Sequence, residues 1–127
     1  MSQSNTIDKL DVTEVLTRYA VACDERDEDA VRALFHPEAT ALYDVDADLR
    51  GNAEIASWVV GATAHLRWQQ HGLRVMRVDL DGDHATAVGY LTSHQAPFAT
   101  PDTTLMMNSR YDAEREAPDE PRVADAL

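Results

Sequence analysis

The stretch VTEVLTRYAVACD, residues 12–24, decides the fold because it joins a helical apolar stripe to a carboxylate. Its apolar side chains recur at the spacing of one helix face. They are Val12, Val15, Leu16, Tyr19, Ala20 and Cys23. Asp24 follows Leu16 and Ala20 in one row along the helix, so the pattern predicts that its carboxylate points toward a core or a cavity.

Asp24 has two interpretations at this stage. A carboxylate that faces an apolar cavity is costly to bury without a partner or a task, and such groups serve as general acids or bases. Alternatively, Asp24 caps the next turn or pairs with Arg18 or Arg26 at the surface, since charged residues are seldom fully buried.

The composition predicts one acidic domain. The chain has 127 residues, of which 44% are hydrophobic, and this is enough for a single core. Its net charge of -12 argues against nucleic acid or a membrane surface as partner, because phosphate groups are bound by clustered Lys and Arg. Cys23 is the lone cysteine and no apolar leader is visible at the N-terminus, so we predict a cytoplasmic protein.

Along the whole chain, the patterns predict helices first and strands later. After a polar lead-in over residues 1–10, the patterns predict three helices, at residues 11–25, 27–35 and 53–66, with a strand at residues 39–45. Two further strands, residues 73–80 and 84–92, flank Asp81-Gly82 and form a predicted hairpin. Another strand is expected at residues 103–112. This order predicts an α+β domain.

The C-terminus changes character after the last of these strands. Residues 1–112 are expected to form the single domain, and residues 113–127 to form an acidic tail that contains proline. This tail is interpreted either as partly disordered or as a degraded last strand.

The chain resembles the SnoaL-like branch of the nuclear-transport-factor-2-like superfamily, which includes scytalone dehydratase, ketosteroid isomerase and polyketide cyclases. The resemblance covers about residues 7–112. It is carried by YAVACDERD at 19–27, VRALFHPEA at 31–39, GNAEI at 51–55, Gln70-His71, and Asp81-Gly82-Asp83. It implies a cone-shaped α+β barrel, in which three N-terminal helices pack on a curved, mixed, mostly antiparallel sheet.

The resemblance also implies a catalytic pair. Dehydratase-like members carry an Asp late in the first helix, here Asp24, and a His before the following long strand, here His71. A tyrosine in the first strand, here Tyr43, binds substrate through water in such enzymes. Tyr19, Trp58 and Asn108 complete the predicted substrate-binding set.

Three departures from the family pattern stand out. Cys23 replaces a tyrosine, and Leu91 stands where scytalone-dehydratase-like enzymes have a second His. The final strand, which usually carries a Trp-Arg pair, is reduced to Pro121-Arg122-Val123. His94 is a second candidate for the missing His, although a surface histidine at a loop end is the simpler interpretation; His36, His65 and His84 are expected to be solvated.

An Asp-His pair suits proton abstraction next to a carbonyl, because the carboxylate orients the imidazole and the imidazole carries the proton. Dehydration, isomerisation and cyclisation all proceed through the resulting enolate, to which Tyr43 or Asn108 would donate. No metal or organic cofactor is required. The leading hypothesis is therefore a cofactor-independent lyase or isomerase acting on a small apolar carbonyl metabolite.

The competing hypothesis is a non-catalytic module of the same fold that binds a small ligand or mediates dimerisation. The presence of both Asp24 and His71 favours the enzyme, whereas Leu91 and the reduced final strand favour the module. For His71 alone, the alternative is a strand residue that bonds backbone or solvent. A homodimer is expected in either case, because the exposed sheet face of this fold is usually covered by a partner. The residues expected to provide apolar cover are Val75, Val88, Leu105 and Met107.

Overall fold

The fold is an α+β arrangement with helices first and a three-stranded sheet last. We describe it from a computed structural model, which covers residues 2–44 and 46–116, with side chains over 9–44 and 46–115. Its elements are α1 (Ser2–Glu25), α2 (Glu28–Ala33), β1 (Thr40–Tyr43), β2 (Ala47–Arg50), α3 (Asn52–Ala62), β3 (Leu66–Asp81), β4 (His84–Pro97) and β5 (Leu105–Glu116). The predicted α+β class and the order of helices and strands are confirmed.

The sheet differs from a closed barrel. Strands β3, β4 and β5 form one sheet in that order, while β1 and β2 form a separate hairpin. Every pairing among the described strands is antiparallel, so no mixed character is seen there. A register shift between Val75 and Arg77 bends β3, since an extra residue on one strand increases local twist.

Helix α1 begins earlier than the sequence predicted. Residues 2–10, expected as a polar lead-in, belong to this helix. They were not predicted to be helical because the apolar stripe begins only at Val12. Within the stripe, Leu16 is 1% exposed, which confirms that this face packs into the core.

The end of α1 is a Schellman motif. The amide of Asp27 donates to Ala22 O at 3.1 Å and that of Arg26 donates to Cys23 O at 3.1 Å. Arg26 has the left-handed φ of 51° that this motif requires after the last helical residue. The Asp27 side chain then accepts from Ala30 N at 3.0 Å and starts α2. The chain therefore turns immediately after Asp24.

The hairpin of β1 and β2 was only half predicted. Strand β1 falls inside the expected residues 39–45, whereas β2 was missed because ADLR, residues 47–50, is short and polar. The following Gly51 has a φ of 88°, and a Cβ there would lie 3.4 Å from Pro37 O. Glycine is therefore favoured at this position, where α3 begins.

The hairpin predicted at Asp81-Gly82 is confirmed. Asp81 pairs with His84, and Gly82 has the positive φ, 58°, that a tight turn needs. Strand β3 begins at Leu66, earlier than residue 73, and β4 continues to Pro97. This part of β3 was not predicted because its residues, RWQQH at 67–71, are mostly polar on both faces of the strand.

Alternation along the strands assigns each residue to one face of the sheet. The inner face, which packs on the helices, includes His71, Leu73 and Val75 on β3 and Ala85 and Ala87 on β4. The predicted apolar cover of the outer face is therefore wrong at Val75, which packs against the core, and at Met107, which lines a cavity. Each lies an even number of positions along its strand from another residue of the inner face, and alternation places such residues on the same face. Val88 alternates with Ala87 and belongs to the outer face.

Strand β5 continues to Glu116, four residues past the expected domain boundary at 112. Ala113 is 5% exposed and belongs to the core, so this first part of the expected tail completes the sheet. The remaining expectations for the tail, including a strand at Pro121-Arg122-Val123, lie outside the described residues. No helix in the described part of the chain is long and apolar enough to cross a membrane.

Candidate active site

A cavity of about 540 Å³ opens between the helices, the β1 strand and the inner face of the sheet. One wall is aromatic and comes from α1, β1 and α3. The opposite wall comes from β3, β4 and β5. The residues that line the cavity include Tyr19, Cys23, Tyr43, Trp58, His71, Leu91, Ser93, Gln95, Met107, Ser109 and Tyr111. This volume fits a small organic molecule.

Asp24 and His71 meet at the edge of this cavity. The Asp24 Oδ1 atom lies 2.5 Å from His71 Nδ1, and Oδ2 accepts from the backbone amide of His71 at 3.0 Å. The side chains are 23% and 11% exposed, respectively. The two carboxylate oxygens thus hold one strand residue by its ring and its backbone, and the surface interpretations of Asp24 do not apply.

This geometry selects one tautomer of the imidazole. A carboxylate oxygen accepts, so Nδ1 carries the proton and donates it to Asp24. In the neutral imidazole the other ring nitrogen, Nε2, then has a free lone pair. Because His71 lines the cavity whereas Asp24 lies behind the ring, Nε2 is the atom that a bound molecule meets. The arrangement is that of a base oriented by a carboxylate.

Tyr19 and Tyr43 form a hydroxyl pair in the aromatic wall. Their hydroxyl oxygens lie 2.5 Å apart, and Tyr43 stacks on Trp58 with ring centroids 4.6 Å apart. Burial raises the pKa of both tyrosines well above the ordinary value, so both hydroxyls keep their protons. Two hydroxyls that share one hydrogen bond retain a second proton to donate, and both tyrosines line the cavity.

Tyr111 and Cys23 belong to the same neutral group. Tyr111 contacts Tyr19 edge to face at 6.0 Å between ring centroids, and burial raises its pKa well above the ordinary value. Burial also raises the pKa of the Cys23 thiol to about 12. A buried, protonated thiol is a poor nucleophile, so the interpretation of Cys23 as a core residue holds.

The sheet wall of the cavity was not predicted. It combines the polar side chains of Ser93, Gln95 and Ser109 with Leu91 and Met107. Alternation from His71 assigns these residues to the cavity only when the register is known, because His71 pairs with Ser93 and Leu73 with Leu91. The register itself, however, is not visible in the sequence.

One sequence prediction for the site is wrong in placement. Asn108 does not line the cavity; it lies on the outer face of β5, exposed, where its Oδ1 accepts from Thr92 Oγ1 at 3.0 Å. His94 pairs with Met106 and Gln70 on that same outer face, so it does not replace the missing second histidine. Leu91 lines the cavity at 4% exposure, so an apolar side chain stands where the family resemblance implies a second His.

The remaining histidines lie away from the cavity. His36 Nδ1 accepts from Glu38 N at 3.0 Å, His84 lies 4.0 Å from Glu114, and His65 is exposed. Within the described residues, no group of three or more His, Cys, Asp or Glu side chains has the spacing to hold a metal ion.

The fold and the family model agree on the class of protein. The model of the SnoaL-like domain matches residues 4–120, so the chain belongs to the SnoaL-like domain family. By sequence, no curated protein matches it significantly.

Solved structures with the same fold are numerous and distant in sequence. A candidate scytalone dehydratase from Novosphingobium aromaticivorans superimposes with a TM-score of 0.87 at 12% identity, over 99% of this chain and 85% of that one. A hexachlorocyclohexane dehydrochlorinase, LinA type 2, gives 0.88 at 10% identity, over 99% and 86%. A nuclear-transport-factor-2-like protein from Salmonella enterica serovar Typhimurium gives 0.85 at 18% identity, over 96% and 89%. These likenesses establish the fold.

Proposed function

We propose that the protein is a cofactor-independent lyase or isomerase that removes a proton next to the carbonyl of a small molecule. The observation that carries the proposal is the Asp24–His71 pair, with Oδ1 2.5 Å from Nδ1, at the wall of a cavity of about 540 Å³. Dehydratase and dehydrochlorinase structures among its fold neighbours are compatible with this chemistry.

In the proposed reaction, His71 Nε2 takes the proton from the carbon beside the carbonyl. The electron pair of the broken C–H bond moves into the enolate, and the imidazolium is stabilised by the Asp24 carboxylate. The developing oxyanion is stabilised by the free proton of the Tyr19–Tyr43 hydroxyl pair. The imidazolium then returns its proton to carbon in an isomerisation or to a leaving hydroxyl in a dehydration.

The residues of the two cavity walls favour a substrate that has a flat apolar part and an oxygenated part. Trp58 and Tyr43 present stacked rings, which favour an apolar or aromatic ring. Ser93, Gln95 and Ser109 face them with neutral hydrogen-bonding groups. Arg110 and Asp112 also line the cavity, but they pair with each other at 3.0 Å. We therefore propose a neutral ring ketone carrying one or more further oxygen atoms as the substrate class.

The direct test is deuterium uptake from heavy water into the position beside the carbonyl of β-tetralone, followed by NMR. The wild-type protein is expected to accelerate uptake over buffer, and His71→Gln is expected to remove the acceleration because an amide is not a base at neutral pH. His65→Gln is the matched control, since His65 is exposed and does not line the cavity. Equal rates for the wild type and His71→Gln would contradict the proposal.

A non-catalytic ligand-binding module remains the second candidate, favoured by Leu91 in the wall where a second base is expected. It predicts that ring ketones bind, as seen by chemical-shift changes in the cavity, without deuterium uptake. It also predicts that His71→Gln binds them with nearly unchanged affinity.

We also propose that the protein is a cytoplasmic homodimer that pairs through the outer face of the sheet. The support is the exposure of large side chains there, with Trp68 at 47%, Tyr90 at 42% and Met106 at 63%. A buried free thiol at Cys23 suits a reducing compartment. Sedimentation of the wild type and of Met106→Glu tests the assembly: a wild-type monomer would contradict it.

A further inference from the structure

Gln69 is a buried polar residue beside the Asp24–His71 pair. It lies on β3 two residues before His71 and is 6% exposed. Alternation places its side chain on the same inner face as the His71 ring. Its Nε2 atom donates to the carbonyl oxygen of Cys23 at 2.7 Å, and Cys23 is the residue before Asp24.

The Cys23 carbonyl belongs to the last turn of α1, where carbonyl groups lack partners within the helix. It already accepts from the amide of Arg26 at 3.1 Å within the Schellman motif. Gln69 therefore adds a second donor, from another element, to a helix end. On β3, Gln69 holds Cys23 and His71 holds Asp24, so two neighbouring inner-face residues hold two consecutive helix residues.

Packing alone does not explain an amide at this position. The Gln69 Oε1 atom is buried and has no hydrogen-bond partner among the described residues. An unpaired buried acceptor is unfavourable, and a methionine of similar shape would avoid it. The hydrogen bond to Cys23 is therefore kept at a cost to stability, which points to a role in geometry.

We propose that Gln69 is a positioning residue for the Asp24–His71 pair. Its amide sets the distance between the end of α1 and β3, so that the Asp24 carboxylate stays in contact with His71 Nδ1. Without this bond, Asp24 itself and the contact of the Arg26 guanidinium with Leu66 O hold the junction. The effect on rate rests on the proposed function, whereas the effect on the pair does not.

The test compares Gln69→Met with Gln70→Met, a matched control on the same strand. Gln70 is exposed and faces the opposite side of the sheet. The first readout is the exchange with water of the His71 Nδ1 proton, observed by NMR in protein with ¹⁵N-labelled histidine. We expect ~10-fold faster exchange in Gln69→Met and wild-type exchange in Gln70→Met, since loss of one buried hydrogen bond changes an opening equilibrium by about that factor.

The second readout separates positioning from folding stability. The midpoint of thermal unfolding is expected to stay close to the wild-type value in Gln69→Met, because the lost hydrogen bond is offset by removal of the unpaired oxygen. Deuterium uptake by β-tetralone is expected to fall ~10-fold in kcat with little change in KM, as for a misplaced base.

Unchanged exchange of the His71 proton in Gln69→Met would overturn the proposal. The proposal would also be overturned if the wild-type protein showed no proton on His71 Nδ1, or a proton that replacement of Asp24 leaves unchanged, because there would then be no pair to position. If the proton responds to Gln69→Met but no ketone is turned over by any variant, the proposed function fails and the positioning role stands. Should Gln69→Met not fold, Gln69→Leu, which has no hydrogen-bond donor, repeats the measurement.

Discussion

Replacement of Asp24 by asparagine is the sharpest perturbation of the pair, because it keeps the shape and reverses the hydrogen-bonding character. The carboxylate now accepts from both His71 Nδ1 and His71 N. An asparagine can still accept from the backbone amide, but its NH₂ group then faces Nδ1. The imidazole is expected to respond by moving its proton to Nε2, the nitrogen that faces the cavity.

The size of the effect follows from these contacts. A hydrogen bond to a charged group contributes about 1.5–3 kcal/mol, and the new bond from an amide to Nδ1 favours the other tautomer by about 1 kcal/mol. Together these terms shift the tautomer balance by ~2.5–4 kcal/mol, so deuterium uptake by β-tetralone should fall about 10²–10³-fold. The loss is expected in kcat, since the cavity walls that bind substrate are unchanged.

Two measurements check the Asp24→Asn prediction. Proton–nitrogen correlation NMR of labelled histidine reports which ring nitrogen carries the proton, and deuterium uptake reports the rate. Asp27→Asn is the control: it makes the same change in charge three residues away, at an N-cap where asparagine and aspartate serve equally. A rate within threefold of wild type, or a His71 whose Nε2 stays unprotonated in Asp24→Asn, would refute the reasoning.

Two further predictions concern stability. Val31→Ala in α2 removes a side chain that is 0% exposed and should lower the free energy of unfolding by about 2 kcal/mol; urea titration checks this, with the exposed Arg32→Ala, expected within ~0.5 kcal/mol of wild type, as the control. Burial raises the pKa of Cys23 from 9.0 to about 12, so the unfolded chain releases this proton at lower pH than the folded protein does. The contribution of the protonated thiol to the free energy of unfolding is fully present below about pH 9. It is lost as pH rises toward 12, at about 1.4 kcal/mol per pH unit. The tyrosines Tyr19, Tyr43 and Tyr111 add to the same fall. Urea midpoints at rising pH should therefore decline less steeply in Cys23→Ala than in the wild type, and equal slopes would contradict the prediction.

More of the fold than of the candidate site could be predicted from the sequence. The apolar stripe of α1 identified both the core face and the orientation of Asp24, because helical spacing depends on local residues alone. The turn at Gly82 was equally local. The start of β3 at Leu66 was missed because Gln69 is polar yet buried, and what makes it acceptable is a bond to Cys23 across 46 positions of sequence.

The candidate site shows the same division between local and distant information. Its Asp24–His71 pair was predicted from resemblance, since the residues are 47 positions apart. Asn108 was assigned to the cavity and lies on the outer face, whereas its odd-numbered neighbours Met107 and Ser109 line the cavity. Moving by one residue along a strand changes the face, and only the pairing register decides which residue of β5 is opposite Leu91.

The separate hairpin of β1 and β2 has a consequence for how the shape of the cavity can change. Among the described strands, β1 and β2 pair with each other and with no strand of the main sheet. Tyr43 nevertheless supplies part of the cavity wall. Substitutions in the hairpin can therefore reshape the cavity without altering a single backbone hydrogen bond of β3, which carries His71. The shape of this part of the cavity and the position of His71 thus depend on separate sets of backbone hydrogen bonds.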